Sequence, residues 1–328
     1  MRIPRSGLLL LCIITFATAV AATTPAAAKQ PNWPATLTLA TASPGGTYHI
    51  YGMGLAAILT RVLGLPVIER TTEGPIENIQ LMEANEAQIA FVTLGAALQG
   101  WNGTGDWTKG KPFRAMRAAF PMYSTPFHFI VLKDSPLASL TDMAGKRIGV
   151  GPHGGTSGSY VPRILGALDL SATLVEGSWD DMVVRLQNGE VDALAAAVGA
   201  PFPAIAGLEK TKNIRYLPVQ EEQVLAIRLA IPELAAVAIP AGTYPSLMKA
   251  YPTVGVYNFA IVRSDLPSDL VFQIVEAVFA FHDEMMEIHP AAAATVPENF
   301  VQNTFLPFHS GASRFYSINM IPGVVRAD

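Results

Sequence analysis

The chain has 328 residues, a net charge of −4 at pH 7 and one cysteine; 50% of its residues are hydrophobic and 15% are charged. Globular proteins usually carry about 25% charged residues, so this is an apolar chain, and its length suggests roughly two domains. The apolar content excludes a disordered protein. The acidic balance excludes nucleic-acid binding through bulk charge, and the single cysteine excludes a disulfide scaffold or a thiolate metal site.

The first 28 residues have the three-part pattern of a secretory signal peptide. Arg2 and Arg5 form a positive start, residues 7–20 are apolar and uncharged, and small residues follow up to Ala28. Because a comfortable membrane span needs about 20 apolar residues, we expect cleavage near Ala28 and export. An uncleaved anchor is one alternative; a lipoprotein attached at Cys12 is another, disfavoured by the bulky residue before that cysteine.

After this segment, strand-like and helix-like stretches alternate and predict an α/β fold. The first series has strands at 37–42, 66–70 and 88–93, connected by helices at 48–63 and 76–84. This order is typical of a parallel sheet covered by helices. A loop rich in Gly and Trp follows at 100–110.

The alternation then restarts after an extended run at 127–132. The second series has strands at 146–150, 173–176 and 192–198 and helices at 159–168 and 179–188. A second extended run covers 254–263, and apolar residues at helical spacing predict one long helix over 268–288.

We interpret the two extended runs as crossovers between two lobes. Lobe I is expected to be discontinuous, with residues 29–126 and 255–328, and lobe II to comprise 127–254. Two α/β lobes joined by two strands form a hinge, and the cleft between them can close on a ligand.

Two similar glycine-rich loops are expected to face that cleft. Residues 43–47 (SPGGT) and 154–159 (GGTSGS) each follow a strand and open a helix. A helix N-terminus has about four unpaired N–H groups and about half a positive charge, so it can bind an anion without a basic side chain. Two such loops, one per lobe, could hold one carboxylate. Alternatively, each is an ordinary tight turn with a Ser or Thr cap.

A third strand-to-helix loop, residues 71–78, offers further polar groups. Thr72 could donate to a ligand, and Asn78 could both donate and accept; alternatively, Thr72 and Glu73 only cap the helix. His153 in the second glycine-rich loop could donate to a ligand or be a surface residue. His128 could lie at the hinge or the cleft, and His309 is expected to order the C-terminal turn.

A series of short motifs recurs in order along the chain. The motifs are Gly45-Gly46-Thr47-Tyr48 with Gly52, Asn78, Ser157-Gly158-Ser159, Asn188–Ala193, Gly199 and Pro201 with Pro203-Ala204-Ile205, and Pro307–Ala312 with Tyr316. Together they resemble the TAXI family, whose members are exported solute-binding proteins of tripartite ATP-independent periplasmic (TRAP) transporters. The resemblance covers residues 37–317, and its specificity comes from the order of the motifs rather than from any one of them.

This resemblance implies a two-lobed type II periplasmic binding protein fold and a periplasmic, monomeric receptor. It implies a small organic-acid ligand, either glutamate-like or a dicarboxylate or keto acid, and a TRAP-type membrane permease as partner. The sequence departs from the family at Thr93-Leu94-Gly95, where Gln-Ser-Asp is common. The lost acid would have paired with a ligand ammonium, so we expect an organic acid without an essential amino group.

The sequence gives little support for a catalytic function. The chain has no Gly-x-Ser-x-Gly elbow, no Walker loop and no His-Glu-x-x-His pair, so we predict a protein that is not an enzyme and needs no cofactor, metal or nucleic acid. An exported enzyme using the same cleft, or a sensor that signals to a membrane kinase, are the alternatives. The predicted ligand-binding residues are Gly45, Gly46, Thr47, Tyr48, Thr72, Asn78, Thr93, His153, Ser157, Gly158, Ser159, Gly199, Pro201 and Phe202.

Overall fold

Strands and helices alternate along most of the chain in the computed structural model, which describes residues 32–319. The predicted signal peptide therefore lies outside the described residues. The strands are β1 (Leu37–Ala40), β2 (Val67–Arg70), β3 (Ile89–Thr93), β4 (Met116–Leu132), β5 (Arg147–Gly151), β6 (Thr173–Glu176), β7 (Ala193–Ala197), β8 (Ile214–Tyr216), β9 (Ala235–Ile239) and β10 (Tyr251–Arg263). The helices are α1 (Thr47–Leu63), α2 (Pro75–Glu83), α3 (Leu94–Asn102), α4 (Thr156–Ala167), α5 (Trp179–Gln187), α6 (Pro203–Thr211), α7 (Glu221–Ala230), α8 (Ser268–Ala280), α9 (His282–Ile288) and α10 (Ser310–Ile318).

The strands follow the order β2-β1-β3-β10-β4-β7-β5-β6, with β8 paired to β4 and β9 to β10. The pairs among β1, β2 and β3 are parallel, as are those among β5, β6 and β7. We call β1–β3 with α1–α3 the first region, and β5–β7 with α4–α6 the second region. The predicted α/β class, with two parallel series, is confirmed.

Strands β4 and β10 connect the two regions, and each changes its partner along its length. β4 pairs with β10 up to Pro126 and with β7 from Phe127 onward. β10 pairs with β9 up to Gly255 and with β3 from Asn258 onward. Both strands are buried over most of their residues, so the connection is part of the core.

Separate apolar clusters support the two regions. One contains Leu55 and Leu59 of α1 with Ile274 and Val278 of α8, and another contains Ile164 of α4 with apolar residues of β4, β5 and β7. Among residues 32–319, no helix is both long and apolar enough to cross a bilayer.

Several predicted elements were wrong in extent or number. The loop expected at 100–110 begins later, because α3 extends to Asn102. Gly95 and Gly100 weaken the helical pattern of α3, which is held by packing against α2 and β10. The long helix expected over 268–288 is two helices, because the chain turns at Phe281. This turn buries Met285 against the first region. Helix α4 begins at Thr156 rather than Ser159, and β4 begins at Met116.

His128 lies in β4 and is completely buried, so it does not face a cleft. Its Nδ1 lies 3.1 Å from the Ala196 carbonyl and its Nε2 lies 3.0 Å from the Tyr244 hydroxyl. Burial lowers the pKa of His128 to about 4. The neutral ring satisfies both contacts when Nδ1–H donates to the carbonyl and Nε2 accepts from the hydroxyl.

We expect His128 to make the free energy of unfolding depend on pH. Because its folded-state pKa lies below its unfolded value, the unfolded chain binds a proton first as the pH falls from about 6.5 to 4. The folded state should lose up to about 3 kcal/mol over that range. Urea titrations between pH 4 and 7 check this, because His128→Gln should flatten the profile. Equal slopes in wild type and His128→Gln would contradict the assignment.

Candidate functional site

Helices α1 and α4 begin at the same cavity. The cavity has a volume of about 70 Å³ and is lined by the first residues of both helices, including Thr47, Tyr48, Thr156 and Ser157. It lies beyond the carboxyl ends of β1, β5 and β7, where ligands bind in open α/β sheets. The structure therefore brings together the two loops that the sequence predicted to face one ligand.

The two loops have the same backbone conformation. In the first, Gly45 has a φ of 78° and the Gly46 N–H donates to the Ser43 carbonyl at 3.1 Å. In the second, Gly154 has a φ of 71° and the Gly155 N–H donates to the Pro152 carbonyl at 3.2 Å. A positive φ at this position of a tight turn favours glycine.

Neither helix is capped by a side chain at the cavity. The N-cap residues are Gly46 for α1 and Gly155 for α4, and neither helix has a side-chain cap hydrogen bond. The first N–H groups of both helices are thus left to a ligand or water. The alternative of ordinary turns with Ser or Thr caps does not describe these two loops.

A third helix, α2, begins at the same cavity. Its N-cap is Gly74, which lines the cavity with Glu73 and Pro75. A Cβ at position 74 would lie 3.1 Å from the Gly154 carbonyl oxygen, so the loops of the two regions are in close contact. Among the described residues that line the cavity, Glu73 is the charged one, and none is Lys, Arg or His.

Two hydroxyl groups fix the walls of the cavity. Thr47 Oγ1 lies 3.5 Å from the Gly199 carbonyl, which joins the start of α1 to the loop after β7. Ser157 Oγ accepts from the Ala197 N–H at 2.8 Å, which leaves its own hydrogen free to donate. Both side chains are buried.

A buried amide on β10 organises the floor beneath α1. Asn258 Oδ1 accepts from the Tyr48 hydroxyl at 2.7 Å, and Asn258 Nδ2 donates to the Tyr123 carbonyl at 2.6 Å and to Thr125 Oγ1 at 2.7 Å. Burial raises the pKa of Tyr48 and Tyr123, so both phenols stay neutral. Sequence reasoning missed Asn258, although a lone Asn inside an apolar strand is a signal for such a buried contact.

The predicted residues fall into three groups. Those that line the cavity are Gly46, Thr47, Tyr48, Ser157 and Gly199. Four others line neighbouring pockets: Gly45 and His153 line a surface pocket, and Thr93 and Ser159 line a second cavity of about 570 Å³. Those that line none of these spaces are Thr72, Asn78, Gly158, Pro201 and Phe202.

The residues outside the cavity have structural contacts instead. Phe202 is completely buried and packs edge-on against Trp179 with ring centroids 5.5 Å apart. Thr93 caps α3 by accepting from the Ala96 N–H at 3.2 Å. His153 is exposed and its Nδ1 lies 2.9 Å from Glu176 Oε2, which raises the pKa of His153.

Asn78 is completely buried and its hydrogen bonds are all made within the protein. Its Nδ2 donates to the carbonyls of Thr41 and Phe91, both at 2.7 Å, and its Oδ1 accepts from the Thr72 hydroxyl at 2.7 Å. These contacts fix α2 against the ends of β1 and β3. Asn78 and Thr72 therefore do not line the cavity in this structure, and their predicted contact with a ligand stays a prediction.

Replacing Asn78 by Ala should destabilise the fold by roughly 2–5 kcal/mol, because three buried polar groups lose their partner. Urea unfolding checks this, with Asn188→Ala as the control, since Asn188 is exposed and its side chain bonds only to Glu190. A variant that keeps full stability but loses ligand binding would show that Asn78 contacts the ligand after all.

Comparisons with known proteins agree with this architecture. MatC from Rhodopseudomonas palustris, with bound malate, matches with a TM-score of 0.54 at 14% identity, over 82% of this chain and 92% of MatC. The alkanesulfonate-binding protein SsuA from Xanthomonas axonopodis pv. citri, bound to MOPS, matches with a TM-score of 0.50 at 14% identity, over 89% and 96% of the two chains. XAC2383 from Xanthomonas citri, bound to ATP, matches with a TM-score of 0.50 at 11% identity, over 89% and 100%.

These structural matches show that the chain has the α/β fold of periplasmic solute-binding proteins, as predicted. At sequence level, a model of the NMT1-like family matches residues 39–317. Because this match covers most of its residues, the chain belongs to the NMT1-like family.

Proposed function

We propose that this protein is an extracytoplasmic solute receptor that binds a small organic anion between two lobes and delivers it to a TRAP-type membrane permease. The observation that carries the proposal is the meeting of two uncapped helix N-termini, those of α1 and α4, at one cavity. Delivery to a TRAP-type permease rests on the TAXI-like motifs alone. Export to the periplasm rests on residues 1–28, which have a signal-peptide pattern.

The proposed lobes comprise residues 29–126 with 255–328, and 127–254. Support comes from β4, which changes partner between Pro126 and Phe127, and from β10, whose pairing with β9 ends at Gly255. The cavity lies between these lobes, and contacts from both sides exist only when they are together. A ligand that touches both sides therefore shifts the open–closed population toward the closed form.

The helix N-termini at the cavity favour an anion, although the one charged side chain among the described lining residues, Glu73, is itself acidic. Each helix N-terminus contributes about half a positive charge, and no basic side chain is present among the described lining residues. The Ser157 hydroxyl has a free hydrogen that could donate to a carboxylate. The bound malate of MatC is an organic acid, which supports the same ligand class here.

The size of the cavity favours a small ligand. A volume of about 70 Å³ holds about five water-sized groups, since one water needs about 10–15 Å³ on this measure. A short keto acid or dicarboxylate fits that size better than a peptide or a nucleotide. In the TAXI family an aspartate is common at the position that Gly95 occupies here. Because this chain lacks that acid, we retain the hypothesis that the ligand needs no amino group.

Mass spectrometry of ligand released from the purified protein, followed by calorimetry, tests the proposal. We expect binding of 2-oxoglutarate or malate with equal or higher affinity than glutamate. Tight binding of glutamate with no binding of keto acids or dicarboxylates would overturn the ligand class. Binding of no organic anion at all would overturn the receptor function.

Charge at the start of α4 gives a sharper test. Thr156 is the first residue of α4 and lines the cavity, so Thr156→Asp places a carboxylate where the ligand anion should lie. At separations near 5 Å this repulsion should weaken binding about tenfold or more. Thr156→Asn introduces a side chain of the same shape as aspartate but without its charge, so it should weaken binding much less.

The aspartate should also favour folding, because a carboxylate at a helix N-terminus stabilises the helix. A lower melting temperature of Thr156→Asp would therefore contradict the electrostatic argument. Equal affinities of the Asp and Asn variants in calorimetry would show that the ligand is not held by its negative charge.

A further inference from the structure

Two side chains of β4 form the buried floor of the cavity at which α1 and α4 begin. Tyr123 and Thr125 are two residues apart in the strand, so both point to the same face of the sheet, and both line the cavity. Tyr123 is 2% exposed and Thr125 is 4% exposed. The cavity therefore has two buried hydroxyl groups beyond those that the sequence predicted.

The hydroxyl end of Tyr123 lies beside Gly199 and Thr47. A Cβ at position 199 would lie 3.0 Å from Tyr123 Cε2 and 3.1 Å from Thr47 Oγ1. Cε2 is bonded to the carbon that carries the hydroxyl, so the hydroxyl lies at this edge of the ring. Because Gly199 and Thr47 both line the cavity, this edge of Tyr123 lies at the cavity wall.

The Tyr123 hydroxyl makes no hydrogen bond within the part of the chain that the structure describes. The neighbouring phenols are engaged elsewhere. Tyr48 donates to Asn258 Oδ1 at 2.7 Å, and the Tyr51 hydroxyl lies 3.0 Å from Thr295 Oγ1. Burial raises the pKa of Tyr123, so its hydroxyl keeps its hydrogen at neutral pH and can donate it to a molecule in the cavity.

Two other hydroxyl groups at the cavity accept hydrogen bonds from the protein and keep their own hydrogens available. Thr125 Oγ1 accepts from Asn258 Nδ2 at 2.7 Å. Ser157 Oγ accepts from the Ala197 N–H at 2.8 Å. Together with Tyr123, these side chains present three hydrogen-bond donors to one small space.

The one charged side chain among the described lining residues, Glu73, belongs to the loop before α2 rather than to the floor. It is exposed, and its Oε2 lies 3.0 Å from the position that a Cβ of Gly154 would take. A ligand ammonium on the floor would therefore be buried without a carboxylate partner, which is unfavourable. A carbonyl oxygen there would accept from the hydroxyl groups instead.

We infer that Tyr123 is a specificity-determining residue that donates its hydroxyl hydrogen to a carbonyl oxygen next to the ligand carboxylate. The ligand class is then a 2-oxo acid, whose carboxylate lies at the N-termini of α1 and α4 and whose oxo oxygen lies on the floor. This inference rests on the proposed function, because it requires an organic anion in this cavity. It adds the group of the ligand that the floor recognises.

Calorimetry with two pairs of acids tests the inference: 2-oxoglutarate against glutarate, and pyruvate against propionate. The members of each pair differ by the oxo oxygen, and in a pair that the cavity admits, wild type should bind the 2-oxo acid more tightly. Tyr123→Phe removes only the hydroxyl. It should weaken binding of the 2-oxo acid by roughly 2- to 13-fold, the range for one hydrogen bond, and leave binding of its partner acid unchanged.

Tyr257→Phe is the matched control. Tyr257 does not line the cavity, and its hydroxyl lies 3.5 Å from the carbonyls of Met122 and Ala294. This variant should therefore leave all affinities unchanged. Tyr123→Phe should keep the melting temperature of wild type, because its hydroxyl has no partner among the described residues.

The outcomes that would overturn the inference separate it from the proposed function. If Tyr123→Phe weakens binding of both members of a pair equally, or of neither, the hydroxyl does not recognise the oxo oxygen, and the receptor function stands. A clearly lower melting temperature of Tyr123→Phe would show that the hydroxyl is paired inside the protein. If wild type binds neither 2-oxo acid but binds another organic anion, the ligand class named here is wrong. If it binds no organic anion, the proposed function fails as well.

Discussion

The cavity depends on backbone N–H groups that the protein itself does not pair. Helices α1 and α4 begin with glycine at the N-cap, where Ser, Thr, Asp or Asn would ordinarily satisfy the first amides. A capping side chain would stabilise each helix by about 1 kcal/mol but would occupy the amides that face the cavity. The sequence places Thr47 and Thr156 one residue later, where each hydroxyl lines the space beside the amides.

The sheet determines that these two helix ends meet. β1 and β5 lie in separate parallel groups, which are joined by the antiparallel pair β10–β4: β10 pairs with β3 of the first group and β4 with β7 of the second. Residues that follow β1 and β5 line the same cavity. The repeated turn, with a left-handed glycine at 45 and again at 154, then directs each chain into its helix in the same way. The same turn conformation thus occurs twice, once on each side of the gap.

Local patterns in the sequence predict these parts well, whereas long-range contacts escape them. The glycine turns and the two strand series are visible because each is encoded within about ten consecutive residues. Asn78 and Asn258 show the limit: only the structure reveals that one fixes α2 against two strand ends while the other supports Tyr48 beneath the cavity. Helix α3 was missed because its glycines, which weaken the local helix pattern, serve contacts with other segments: Gly95 meets Tyr160, and Gly100 meets Ile79 and Met116.

Under the proposed function, the contacts that join the two lobes must be weak enough for the ligand to decide whether the cleft closes. Thr47 Oγ1 lies 3.5 Å from the Gly199 carbonyl and Gln99 Nε2 lies 3.5 Å from Glu233 Oε1, and hydrogen bonds of this length are weak. An anion bound at the helix N-termini would add contacts to both lobes and so shift the population toward the closed arrangement. A receptor that closed firmly on an empty cavity could neither admit a ligand nor release it.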